Sequence, residues 1–198
     1  MAGASHVILP KAPASCPVAT GRLDWSPVNR AVLMRLVEWV DKGREPPATR
    51  LMPLGPAPPH PQAMRAPSYL PEAVMQVPKT DGDGNPLGGV RLPDVEAPLG
   101  TYRPLNAPTR ACMNVGGFVP FAATKKEREA SGDSRPSVEE RYSSRGDYVN
   151  RIRVAARRLM AEGFLLAEDA AVIVDSAASN PLFDKIRPLT KEVVGLGR

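Results

Sequence analysis

Residues 3–10 read GASHVILP, and His6 within them is the side chain whose type and setting best suit proton transfer. An imidazole takes up and returns a proton near neutral pH. A histidine on a loop just past a strand end is also how doubly wound α/β enzymes present catalytic groups. As a catalytic base it needs a nucleophile to deprotonate and a carboxylate to orient it. The chain contains no G-x-S-x-G elbow. Its serines fall near helix caps or in loops, and Asp24, the nearest acid in sequence, carries no feature that makes it the orienting group. An isolated histidine in such a chain is more often surface or a satisfied polar group.

Other candidates are weaker. In DGDGN, residues 81–85, Asp81, Asp83 and Asn85 alternate as at the start of a calcium loop. The sixth position of that loop is Pro86 where glycine is required, and the twelfth is Leu92 where a bidentate glutamate should sit. A hairpin turn of residues that tolerate positive φ is the simpler expectation. His60 lies between Pro59 and Pro61, and no role is expected of it. Cys16 and Cys112 lack the CxxC grouping of a zinc site. They read as two reduced thiols, because a disulfide requires an oxidising compartment. These patterns call for no metal and no cofactor.

The elements that must position these groups can be read from spacing. Ser26 is placed to cap a helix whose first position is Pro27; Val28, Val32, Leu36, Trp39 and Val40 recur at helical intervals until Gly43. Leu33 and Val37 widen that stripe, as in a helix lying on a sheet. From Pro46 to Pro67, eight of 22 residues are proline, which predicts an extended arm. AVMQVPK (73–79), GGVRLPDV (88–95) and GGFVPF (116–121) are strand candidates. Ser137 with Glu140, and Ser144 with Asp147, have the offset of capping boxes. The second box predicts a helix over 145–162, ended by Gly163, with Tyr148, Ile152, Ala155 and Leu159 as its buried stripe. Arg151 and Arg158 flank that stripe on one side, Arg153 and Arg157 on the other. A further helix over 168–178 opens with acidic residues.

Composition limits the function classes. The 198 residues include 23 Pro and 16 Gly with only 5% aromatics, which suits a small domain with long irregular arms. The net charge of +5 invites a nucleic-acid reading. Between Lys125 and Asp147, however, acidic and basic residues alternate and cancel, so nucleic acid is not the expected partner. No apolar run approaches the ~20 residues of a membrane span, and no secretory signal opens the chain. As written, the chain is expected to stay in the cytoplasm and to bind no membrane.

Three segments taken together resemble the carboxy-terminal part of a large bacterial alpha/beta-hydrolase domain family. They are LDWSPVNRAVLMRLVEWVDKGREPPATR, VRLPDVEAPLGTY, and the long run from GGFVPF to VDSAAS. The resemblance covers about residues 3–179. It implies that GASH with helix 27–42 is the last strand-loop-helix unit of the hydrolase core, so that His6 corresponds to the histidine of a Ser-acid-His triad. The fold class implied is α/β: a hydrolase fragment over 1–45, a proline-rich arm over 46–72, short strands and turns over 73–122, a helical tail over 123–180 and an extension over 181–198. Because the triad order is Ser, acid, His, the nucleophile and the acid are expected outside this chain. The chain then reads as a truncated or split gene product, or as one started at an internal Met1.

The implied substrate of the complete enzyme is a small-molecule ester or related acyl compound, with the chain alone inactive and the missing amino-terminal hydrolase portion as its partner. The alternative is a non-catalytic interaction module that pairs with another hydrolase fragment or partner protein. In the fragment reading the three short strand candidates do not replace the missing sheet, and helix 27–42, with Leu36, Trp39 and Val40, is expected to expose an apolar face meant to be covered. Members of the family are often exported, and in an exported parent Cys16 and Cys112 would be able to pair.

Overall fold

A computed structural model of the chain describes residues 1–8, 16, 18–20, 23–56, 76–104, 106, 112 and 114–186. His60, the proline arm beyond Pro56, residues 73–75 of the first strand candidate and the extension from 187 onward lie outside the described residues. Helix α1 (Ser26–Lys42) is followed by strands β1 (Leu54–Pro56) and β2 (Gln76–Pro78), the short helix α2 (Pro93–Glu96), and strands β3 (Gly100–Arg103) and β4 (Gly117–Pro120). The helical part consists of α3 (Lys125–Ser131), α4 (Val138–Arg141), α5 (Arg145–Ala161), α6 (Ala167–Ala178) and α7 (Leu182–Lys185).

The architecture is mixed α/β with small antiparallel sheets: β1 pairs with β2, and β3 with β4. A two-stranded ribbon is marginal alone in water, and the β3–β4 pair is held by what it packs against. Tyr102 stands opposite Phe118 in the register, with ring centroids 5.0 Å apart. Phe118 touches two buried clusters, one containing Leu23, Val28, Leu92, Val95 and Leu159, the other Leu99, Val138, Tyr142, Ile152 and Phe183. Helix α5 runs between the two clusters and packs on α6 and α2. Its expected stripe of Tyr148, Ile152, Ala155 and Leu159 is buried, with Ile152 at 1% exposure.

The capping chemistry explains the helix starts. Ser137 and Glu140 form a reciprocal box at α4, and Thr124 with Glu127 forms another at α3. Ser144 accepts from the Asp147 N–H at α5, but the Asp147 carboxylate reaches the Ser143 N–H and Arg151, one residue beyond a closed box. Gly163 follows α5 at φ 81°, and a Cβ there would lie 2.9 Å from Pro47 Cγ, where the chain after α1 crosses.

Three sequence expectations change. Ser26 is not the cap of α1: Trp25 is the N-cap residue without a side-chain bond, and the Ser26 N–H donates to Asp24 Oδ1 at 2.9 Å. GGVRLPDV is not a strand, because Gly88 and Gly89 adopt positive φ and Pro93 starts α2, where its missing N–H costs nothing. Residues 1–8 form a turn and a bend rather than a strand end, with Gly3 at φ 71°. DGDGN does form a tight turn, closed by the Thr80–Pro86 bridge. Its Asp81 carboxylate accepts from the N–H groups of Asp83 and Asn85, and Asp83 pairs with Arg141.

Candidate functional site

His6 is exposed and sits on a segment fastened from both sides. Upstream, Ala2 is fully buried and its N–H donates to the Val90 carbonyl at 3.0 Å. Gly3 lies against Tyr102, so close that a Cβ would meet Tyr102 Cβ at 3.0 Å; its positive φ and this approach both require glycine. The Ser5 carbonyl accepts from the Trp25 indole Nε1 at 3.1 Å, which ties the segment to the start of α1. Downstream, the Val7 N–H donates to the Asn114 carbonyl at 2.8 Å. Beyond the described stretch the chain returns along β4, through a Thr20–Gly117 bridge and a Phe118 N–H to Ala19 carbonyl bond of 2.9 Å.

Cys16 and Cys112 form a disulfide, with Cα atoms 5.5 Å apart and Cys112 fully buried. The two thiols are therefore not free, a correction to the residue-level reading. No signal in their spacing could announce it, because what brings them together is the return of the His6 arm along β4. This bond and the hydrogen bonds on either side of His6 hold a solvent-facing imidazole on a braced backbone.

The partners a catalytic histidine needs are not gathered around it among the described residues. His6 makes no hydrogen bond to any of them. The neighbouring Ser5 hydroxyl donates to the Val7 carbonyl at 2.9 Å. The Asp24 carboxylate is used at the start of α1. Its neighbour Arg30 donates to both oxygens of Asp169, at 3.2 and 2.5 Å, and this bond holds the guanidinium above its ordinary pKa.

Helix α1, which begins at this site, leaves its apolar stripe uncovered among the described residues, as expected of helix 27–42. Val28 and Ala31 are buried, and the half-buried Arg35 and Glu38, ion-paired at 2.7 Å, continue the same inward row. The apolar stripe points away from the described body: Val32, Leu33, Leu36 and Val37 are 46%, 59%, 47% and 44% exposed, and Val40 is 75% exposed. Trp39 is half exposed beside them. Scattered exposed apolar residues are ordinary, whereas a contiguous apolar helix face marks an interaction surface.

The described residues contain no group of three or more His, Cys, Asp or Glu side chains able to hold a metal ion. None of their helices is long and apolar enough to cross a membrane. Searches of curated proteins and of solved structures find no match to the chain. A family model described as an alpha/beta hydrolase domain matches residues 2–175, from the buried Ala2 through most of α6. The span takes in the His6 arm, α1, both small sheets and the helices that pack on them, and the chain belongs to this alpha/beta hydrolase domain family.

Proposed function

We propose that the chain supplies the histidine of a Ser-acid-His hydrolase site, with His6 as general base towards a serine and then general acid towards the leaving alcohol or amine. The serine and the orienting acid come from a hydrolase segment that packs on the outward stripe of α1. The substrate class is an ester or related acyl compound, and the chain by itself turns none over.

The observation that carries this reading is the inverted helix. The α1 stripe exposes Val32, Leu33, Leu36, Val37 and Val40. Covering even ~200 Å² of such surface is worth about 5 kcal/mol at ~25 cal/mol per Å². Trp25, at the N-terminus of that helix, donates to the Ser5 carbonyl and so ties the start of α1 to the His6 segment. The Cys16–Cys112 bridge suits a parent protein in an oxidising compartment.

The test is aryl-ester turnover by the purified chain, alone and in complex with a G-x-S-x-G polypeptide encoded beside it. Turnover by the complex and none by the chain alone is expected. Activity of the chain alone, or a stable complex that is inert towards aryl and alkyl esters, contradicts the reading.

A further inference from the structure

A cleft of about 690 Å³ opens between the start of α1, the β3–β4 pair and α6, apart from the exposed His6 imidazole. Its lining is chemically mixed. It includes the rings of Tyr102, Phe118 and Tyr148. It also includes three carboxylates, Asp24, Asp94 and Asp169.

These carboxylates are not equivalent. In this chain Asp81, Asp133, Asp147 and Asp169 each hold an arginine. Neither Asp24 nor Asp94 has an ion-pair partner among the described residues, although both border the same cleft. Asp94 is half-buried on α2, between the buried Pro93 and Val95. Burial pushes its carboxyl above the ordinary value, and the nearby charge of Asp24 pushes it further. Burial also raises the Tyr148 phenol, and the Asp94 charge adds to that shift. The cleft thus places Asp94, which has no ion-pair partner among the described residues, near Asp24, which shares the field of Arg30, with the rings of Tyr102, Phe118 and Tyr148 in the same lining.

We propose that this cleft binds a small organic monocation, its ammonium group beside Asp94 and Asp24 and its apolar body against the Tyr102–Phe118 pair. A desolvated carboxylate gains most from a cation that arrives already carrying apolar surface, and ring faces add their own attraction for ammonium. Arg30 acts on Asp24 through its charge alone, because Asp169 binds its guanidinium through both oxygens, and it is not among the groups that shift Asp94. Lys185 also lines the cleft and disfavours a ligand with a second positive charge. The proposal does not depend on the hydrolase reading, since it requires neither ester turnover nor the partner segment.

Calorimetric titration of the full chain with phenethylammonium, 2-phenylethanol and 1,6-hexanediammonium tests it. Phenethylammonium should bind at least tenfold more tightly than either of the others, and Asp94→Asn should weaken it at least tenfold. Asp24→Asn, an exposed position whose substitution leaves the fold intact, should weaken it by a smaller factor. Equal binding of the ammonium and the alcohol overturns the proposal, as does unchanged affinity in both variants or no heat at millimolar phenethylammonium.

Discussion

Asn85 shows how much a single side chain does in a turn. It is fully buried, donates from Nδ2 to the Gly100 carbonyl at 3.2 Å, and accepts the Tyr102 N–H on Oδ1 at 2.8 Å. Asn85→Ala removes the side-chain partner of both the Gly100 carbonyl and the Tyr102 N–H and should cost about 2–3 kcal/mol in urea unfolding. From sequence, Asn85 was legible only as a turn former, because Gly100 and Tyr102 reach it through tertiary structure. Glu140 is the opposite case, since the capping box with Ser137 was readable directly. Hydrogen bonds from the Ser137 backbone and hydroxyl, and then from Arg128, hold its carboxyl at about 2. The unfolded value is ~4.3, so its stabilising contribution is fully present above pH ~5 and disappears as the pH falls through about 2. Glu140→Gln should therefore lower the Tm at pH 7, with the loss shrinking towards zero in melts below pH 2. An equal loss at both pH values would assign the effect to packing.

At the scale of elements, periodicity located α1, α5 and α6 because each has a continuous apolar row. In α5 the row is also the buried face, and Ile152→Ala should cost about 3 kcal/mol in chemical denaturation. In α1 the row is exposed instead, and the small inward residues Val28 and Ala31 meet the body. Spacing reports amphipathicity, not which neighbour covers the face. Leu36→Asp with Val40→Asp should leave the stability of the isolated chain within ~1 kcal/mol, because both positions face solvent. The same pair should abolish co-purification with the hydrolase segment. A large loss of stability in the isolated chain would mean that the stripe is already covered. GGVRLPDV was misread because β-branched residues suggested a strand, while two positive-φ glycines and a helix-starting proline decided otherwise.

Across the whole molecule, the Cys16–Cys112 bridge closes a sequence separation of 96 residues, starting ten residues after His6. A loop of that length corresponds to about 4.7 kcal/mol in the chain-entropy account. Thiol titration of the unreduced protein should find no free thiol, and Cys112→Ser should lower stability by about 2–4 kcal/mol; two titratable thiols would contradict the bridge. Family membership was legible from an ordered series of segments, and the match over residues 2–175 establishes it. The open apolar face of α1 was legible too, whereas the inward row of Val28 and Ala31 was not, because small residues leave little periodic signal. The central claim is that His6 is the working base of a site completed on α1. The most direct measurement is ester turnover by the assembled complex with His6→Ala, a substitution at an exposed, unbonded position that leaves assembly intact. Turnover should fall by at least ~10³-fold with the complex still formed; a complex that keeps turnover within tenfold would contradict the account.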